Sequence, residues 1–74
     1  MLDKKQAQRL NPLVNSPQWL AMEDYLSHLK NLELQVLAVA TSELEIFRSQ
    51  GRISSLERLL QLPQSVKQII KENR

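Results

Sequence analysis

RSQGRISSLERLLQLP, residues 48–63, is the densest signal in the stretch that decides the fold, residues 16–62. Ile53, Leu56, Leu59 and Leu60 recur at helical spacing, while Leu44, Phe47 and Gly51 share a face rotated from theirs. The phase slips at Gly51, the single glycine of the chain. Glycine inside a helix costs about 1 kcal/mol against alanine. Its presence marks either the close approach of another helix or a kink. Leu62 and Pro63 end this helix, and Pro63 can begin another that reaches Lys71, with Val66, Ile69 and Ile70 on one side. Glu72, Asn73 and Arg74 make a polar end.

Upstream, Ser42 with Glu45 three residues on has the form of a capping box, so a tight turn is expected at residues 40–42. The competing reading is one unbroken helix over residues 17–62, about 69 Å long at 1.5 Å per residue. Before the turn, Met22, Tyr25, Leu26, Leu29, Leu32, Val36, Val39 and Ala40 follow helical spacing, and Leu37 widens the stripe. That face is broader than a two-stranded seam needs and implies more than one neighbour. Ser16 and Pro17 start this helix, serine as a cap for free N–H groups and proline at the first helical position. Residues 1–15 are polar apart from a few positions, and Asn11-Pro12 stops any short helix there. The expectation is an extended N-terminal arm that buries Leu10, Leu13 and Val14, with a disordered tail as the other reading. The fold class is therefore all-α: an N-terminal arm over 1–15, a helical hairpin over 16–62, and a short C-terminal helix and tail over 63–74.

Seventy-four residues make one domain at most. A core of that size rarely supplies more than roughly 3–5 kcal/mol, so small domains usually add disulfides, a metal or a partner. There is no cysteine and a single histidine, His28, which leaves a lean monomer, an oligomer or a subunit docked on a larger body. Ten Lys and Arg against eight Asp and Glu give a net charge of +2, no nucleic-acid footprint by itself. No apolar run approaches the ~18 residues of a membrane span. MLDKKQ at the start has charge with no apolar region behind it and reads as no signal peptide.

The residues offer no chemistry. His28 has no partner at a recognisable spacing and reads as a surface or interface histidine. Glu23 and Asp24 are adjacent, so on a helix they point apart and serve the N-terminal dipole rather than paired acid–base work. Ser54 and Ser55 have no base, and one glycine cannot make a phosphate loop. No cofactor is expected. Arg48, Arg52 and Arg58, with Lys67 and Lys71, could touch phosphates, but as a stripe they are imperfect, and the alternative is solvated charge balancing Glu45 and Glu57. The expected contact residues of an interface are Trp19, Tyr25, Leu29, Phe47, Gly51 and Ile53, because tryptophan and tyrosine anchor interfaces and the others mark the apolar faces; the alternative for Trp19 and Tyr25 is a place in the core of the hairpin.

Ser16, Pro17 and Trp19, followed by Gln50, Gly51, Arg52 and Ile53 and then Leu56, Leu59, Leu60, Leu62 and Pro63, resemble a layout seen in short helical virion-associated structural proteins of tailed bacteriophages. The resemblance covers about two thirds of the chain and leaves out the N-terminal arm and the tail after Pro63. It implies a non-enzymatic component bound to larger virion proteins of the capsid, portal or neck, present in several copies or as a homo-oligomer, and located in the virion or, during assembly, in the host cytoplasm. The alternative function is a nucleic-acid-associated packaging or regulatory factor, motivated by the arginines of the second helix. An anti-host regulator or toxin–antitoxin component also fits the size.

Overall fold

The computed structural model describes residues 2–72. These residues form four helices: α1 (Lys4–Val14), α2 (Pro17–Val39), α3 (Glu43–Leu60) and α4 (Leu62–Glu72). The described residues contain no strand, so the chain is all-α. Asn73 and Arg74 of the expected polar end lie outside them.

The helices pack as two antiparallel pairs, α2 against α3 and α1 against α4. Among the described residues α1 does not pack on α3, nor α2 on α4. The pairs follow one another along a ribbon of 48 × 24 × 13 Å, with a radius of gyration of 15.1 Å. A compact domain of this length would have a radius of roughly 11 Å. The ribbon is thus two helices wide throughout, and both arms are jointed where one pair gives way to the next.

The first helix replaces the expected extended arm. Asp3 Oδ1 accepts the Gln6 backbone N–H at 2.8 Å, and Gln6 Oε1 accepts the Asp3 N–H at 3.1 Å. This reciprocal cap satisfies two donors that a bare helix end leaves open. Asn11-Pro12 does not stop α1, which runs on to Val14 with Pro12 inside it. Proline forfeits one backbone bond this close to the helix end, and the far end is held by Asn15, whose Nδ2 donates to the Asn11 carbonyl and side-chain oxygens, both at 2.9 Å. Ala7 and Val66 are fully buried, one on each helix of the α1–α4 pair, flanked by half-buried Leu10, Val14, Ile69 and Ile70.

The joint between α1 and α2 also differs from expectation. Ser16 is the residue before α2, but its side chain caps no N–H of that helix. Its hydroxyl donates backwards to the Leu13 carbonyl at 2.6 Å, closing the end of α1. Pro17 begins α2 as the sequence suggests. Trp19 follows, 5% exposed, and its Nε1–H donates to Glu23 Oε1 at 2.7 Å. Glu23 therefore holds the indole instead of answering the helix dipole. At the other end of α2 the chain turns back at residues 40–42 rather than running on as one helix. Ser42 Oγ accepts the Glu45 N–H at 3.1 Å to begin α3.

The closeness of the α1–α4 pair rests on small buried side chains. Ala7→Leu would force three further carbons into a fully covered site. The expected cost is about 1–3 kcal/mol of stability. Urea unfolding followed by circular dichroism checks it, and an unchanged midpoint would show that α1 does not pack on α4.

Candidate docking face

Register within the α2–α3 pair is set by Glu33. Its Oε1 accepts Arg52 Nε–H at 2.8 Å and its Oε2 accepts the Ser49 hydroxyl at 3.1 Å. Ser49 is fully buried, small enough to let the two helices meet, and hydrogen-bonded across the contact. Lys30 Nζ adds an ion pair to Glu57 Oε1 at 3.4 Å. Both ion pairs cross between the two helices: Glu33 of α2 answers Arg52 of α3, and Glu57 of α3 is taken by Lys30 of α2 rather than by an arginine of its own helix. Arg52 thus gives its Nε–H to this clamp.

The Arg52 hydrogen bond holds the Glu33 carboxyl below the ordinary glutamate value of 4.5; partial desolvation opposes it, and the Ser49 hydrogen bond and the Arg52 charge assist.

Each long helix has one face turned inward and one apolar flank left out. Along α2 the inward positions are Trp19, Leu26, Glu33 and Leu37, buried or half-buried. A second row follows beside them: Met22, Tyr25, Leu29, Leu32, Val36 and Val39. Five of these six are exposed, at 48% for Met22, 59% for Tyr25, 43% for Leu32, 46% for Val36 and 77% for Val39, with Leu29 half-buried. The single broad stripe seen in the sequence is therefore two stripes, one inside the chain and one outside it. Monomeric proteins rarely expose contiguous apolar patches of more than a few hundred Å², and larger ones mark interaction sites.

An open groove of about 590 Å³ runs between α2 and α3 beside this outer stripe, lined by Leu29, Leu32 and Glu33 on one side and by Arg48, Gly51, Arg52, Ser55 and Leu56 on the other. Gly51 does not break α3, and no described helix crowds it. The helix is continuous from Glu43 to Leu60, and a Cβ built at Gly51 would meet nothing within 4 Å. Its missing side chain leaves a dip in the wall of the groove.

Of the expected contact residues, the structure brings Tyr25, Leu29 and Gly51 to this one face. Phe47, 66% exposed, stands one turn before Gly51 on α3. Trp19 and Ile53 do not belong to the outer surface: both are buried in the chain's own core. Leu32, Val36, Val39 and Met22 were not singled out, although their spacing at alternating steps of three and four was there to be read. The described residues hold no group of His, Cys, Asp and Glu fit for a metal, and no described helix is long and apolar enough to cross a membrane. No protein-family model, curated protein or solved structure matches this chain.

Glu33 ties pH to the α2–α3 contact. A carboxyl held below its ordinary value binds fewer protons folded than unfolded, so its stabilisation is complete above 4.5 and is lost as pH falls through the lower folded value. Thermal melts between about pH 7 and about pH 3 should show lower midpoints in acid, and Glu33→Gln should flatten that part of the profile. Superimposable wild-type and Glu33→Gln profiles would contradict the clamp.

Proposed function

We propose that this chain is a small non-enzymatic structural adaptor of a tailed-bacteriophage virion, a helical hairpin extended by a second helix pair, which binds other subunits through apolar helix faces. The observation that carries the adaptor reading is the outer stripe of α2, six apolar side chains of which the chain's own helices leave five exposed and Leu29 half-buried. The virion setting, at capsid, portal or neck, comes from the sequence resemblance at residues 16–19 and 50–63. Binding by such a face needs no catalytic group: apolar area is removed from water at about 25 cal/mol per Å², and the polar rim fixes orientation. The thin core supports the same reading, because its buried apolar side chains are Ala7, Trp19, Leu26, Ile53 and Val66. A partner would complete what so short a chain cannot bury alone.

The nucleic-acid reading is the weaker one. Arg52 is engaged by Glu33, and the face that lies open is apolar rather than basic.

The test is quantitative mass spectrometry of purified particles from the phage that encodes the chain, together with deletion of its reading frame. A fixed copy number per particle, and particles that fail to complete without it, are expected. Full-titre particles after deletion, with the chain absent from wild-type particles, would overturn the virion role.

A further inference from the structure

The outer stripe of α2 has a more specific character than exposed hydrophobicity. Met22, Tyr25, Leu29, Leu32, Val36 and Val39 are spaced three, four, three, four and three residues apart. That is the spacing of the a and d positions of a heptad, whose side chains insert into holes formed by a facing helix. We propose that the occupant of this seam is a second copy of the same chain, with the two α2 helices antiparallel and centred between Leu29 and Leu32. This rests on the adaptor reading above only in taking the stripe to be a protein-binding face.

Three observations select a second copy over a different protein. The first is charge. The charged residues of α2 are Glu23, Asp24, Lys30 and Glu33, and none lies in the seam. Ala21, His28 and Gln35 border it on the open side, and Glu33 on the inner side is tied to Arg52 and Ser49. An identical copy therefore meets no like charge along the seam, and the Arg48 guanidinium at the groove's edge faces no second cation there.

The second is shape. Antiparallel pairing sets Leu29 of one copy against Leu32 of the other, Tyr25 against Val36, and Met22 against Val39. Larger side chains face smaller ones at the outer positions, which lets the layers interdigitate. Parallel pairing would stack Tyr25 on Tyr25 and set the helix dipoles side by side in the same direction. By the register of the α2–α3 pair, Arg48 lies level with Val36, so the ring of Tyr25 from the second copy arrives beside the Arg48 guanidinium, an arrangement suited to a cation–π contact. Leu29 of the second copy arrives level with Gly51, where the groove is empty of side chain.

The third is area. The five exposed seam residues keep 43% to 77% of their surface open, and the Arg48, Gly51 and Ser55 edge of the groove extends the face toward the roughly 800 Å² per partner of a stable interface. The result is a four-helix arrangement over the α2–α3 halves, with the α1–α4 halves projecting from opposite ends.

The experiment is light scattering on the full chain at tens of micromolar, with circular dichroism on the same samples. Wild type should have twice the chain mass of 8.6 kDa. Leu32→Glu should halve that mass with helix content retained, whereas Leu20→Glu, on an exposed position away from the seam, should leave it doubled. The chain has no cysteine, so introduced thiols report cleanly. Met22→Cys mixed with Val39→Cys should form an interchain disulfide under mild oxidation, and neither variant alone should do so. This pairing decides the case should Leu32→Glu fail to fold. A wild-type mass of 8.6 kDa at these concentrations would overturn the proposal. So would a dimer that Leu32→Glu leaves intact, or crosslinking of Met22→Cys with itself. A monomer that is nonetheless a fixed component of particles would sink the dimer and keep the adaptor; a dimer absent from particles would do the reverse.

Discussion

A ribbon two helices wide can cover only one side of each helix. Every other feature of this chain follows from that geometric limit. α2 and α3 cover each other along Leu26, Ser49 and Ile53, and none of the other described helices lies along their flanks. In a three- or four-helix bundle the outer row of α2 would sit in the core. Here it faces water, at a cost that association with another helix surface would remove. The apolar content of the sequence, 42%, is that of an ordinary globular chain, so the exposure arises from arrangement and not from composition.

Much of the helical layout was legible because its punctuation is chemical. Pro17 at a first helical position, Ser42 with Glu45, and Pro63 near the start of the last helix each act within one turn of backbone. What escaped was less local. Asp3 and Gln6 form a reciprocal cap, whereas the expectation of an arm rested on Asn11-Pro12 as a breaker and took no account of a cap. In the structure α1 runs through Pro12 to Val14, begun by this cap and closed by the Asn15 amide on the Asn11 carbonyl. Gly51 misled in a similar way. Its φ is not positive and no neighbour crowds it, so neither conformational need nor close approach within the chain accounts for it. Its setting in the wall of the groove is a property of two helices together and cannot be found on one.

The candidate face shows the same division. Tyr25, Leu29 and Gly51, expected at contacts, share it, whereas Trp19, expected there on residue type, and Ile53, expected there from its apolar face, turn inward. Tryptophan is enriched at interfaces and equally suited to plugging a joint when a carboxylate such as Glu23 meets its N–H. Residue type alone does not separate those roles. The split of one broad stripe into two depends on where α3 lies, which is fixed by Glu33, Ser49 and Arg52 across a sequence separation of 16 to 19 residues.

The nesting of the pairs also orders events in time. The α2–α3 pair closes over a connection of residues 40–42, whereas α1 and α4 are separated by everything between them. Loop-closure entropy rises with the length of chain enclosed, so the outer pair is costly to form first. Once α2 and α3 are zipped, the end of α1 at Asn15 and the start of α4 at Leu62 are already neighbours, and the outer pair closes as a short loop. Folding therefore runs from the turn outward, like a zip with one slider. The Ser16 and Gln61 joints are where that slider passes from one pair to the next, and the order of opening is the reverse, from the chain ends inward.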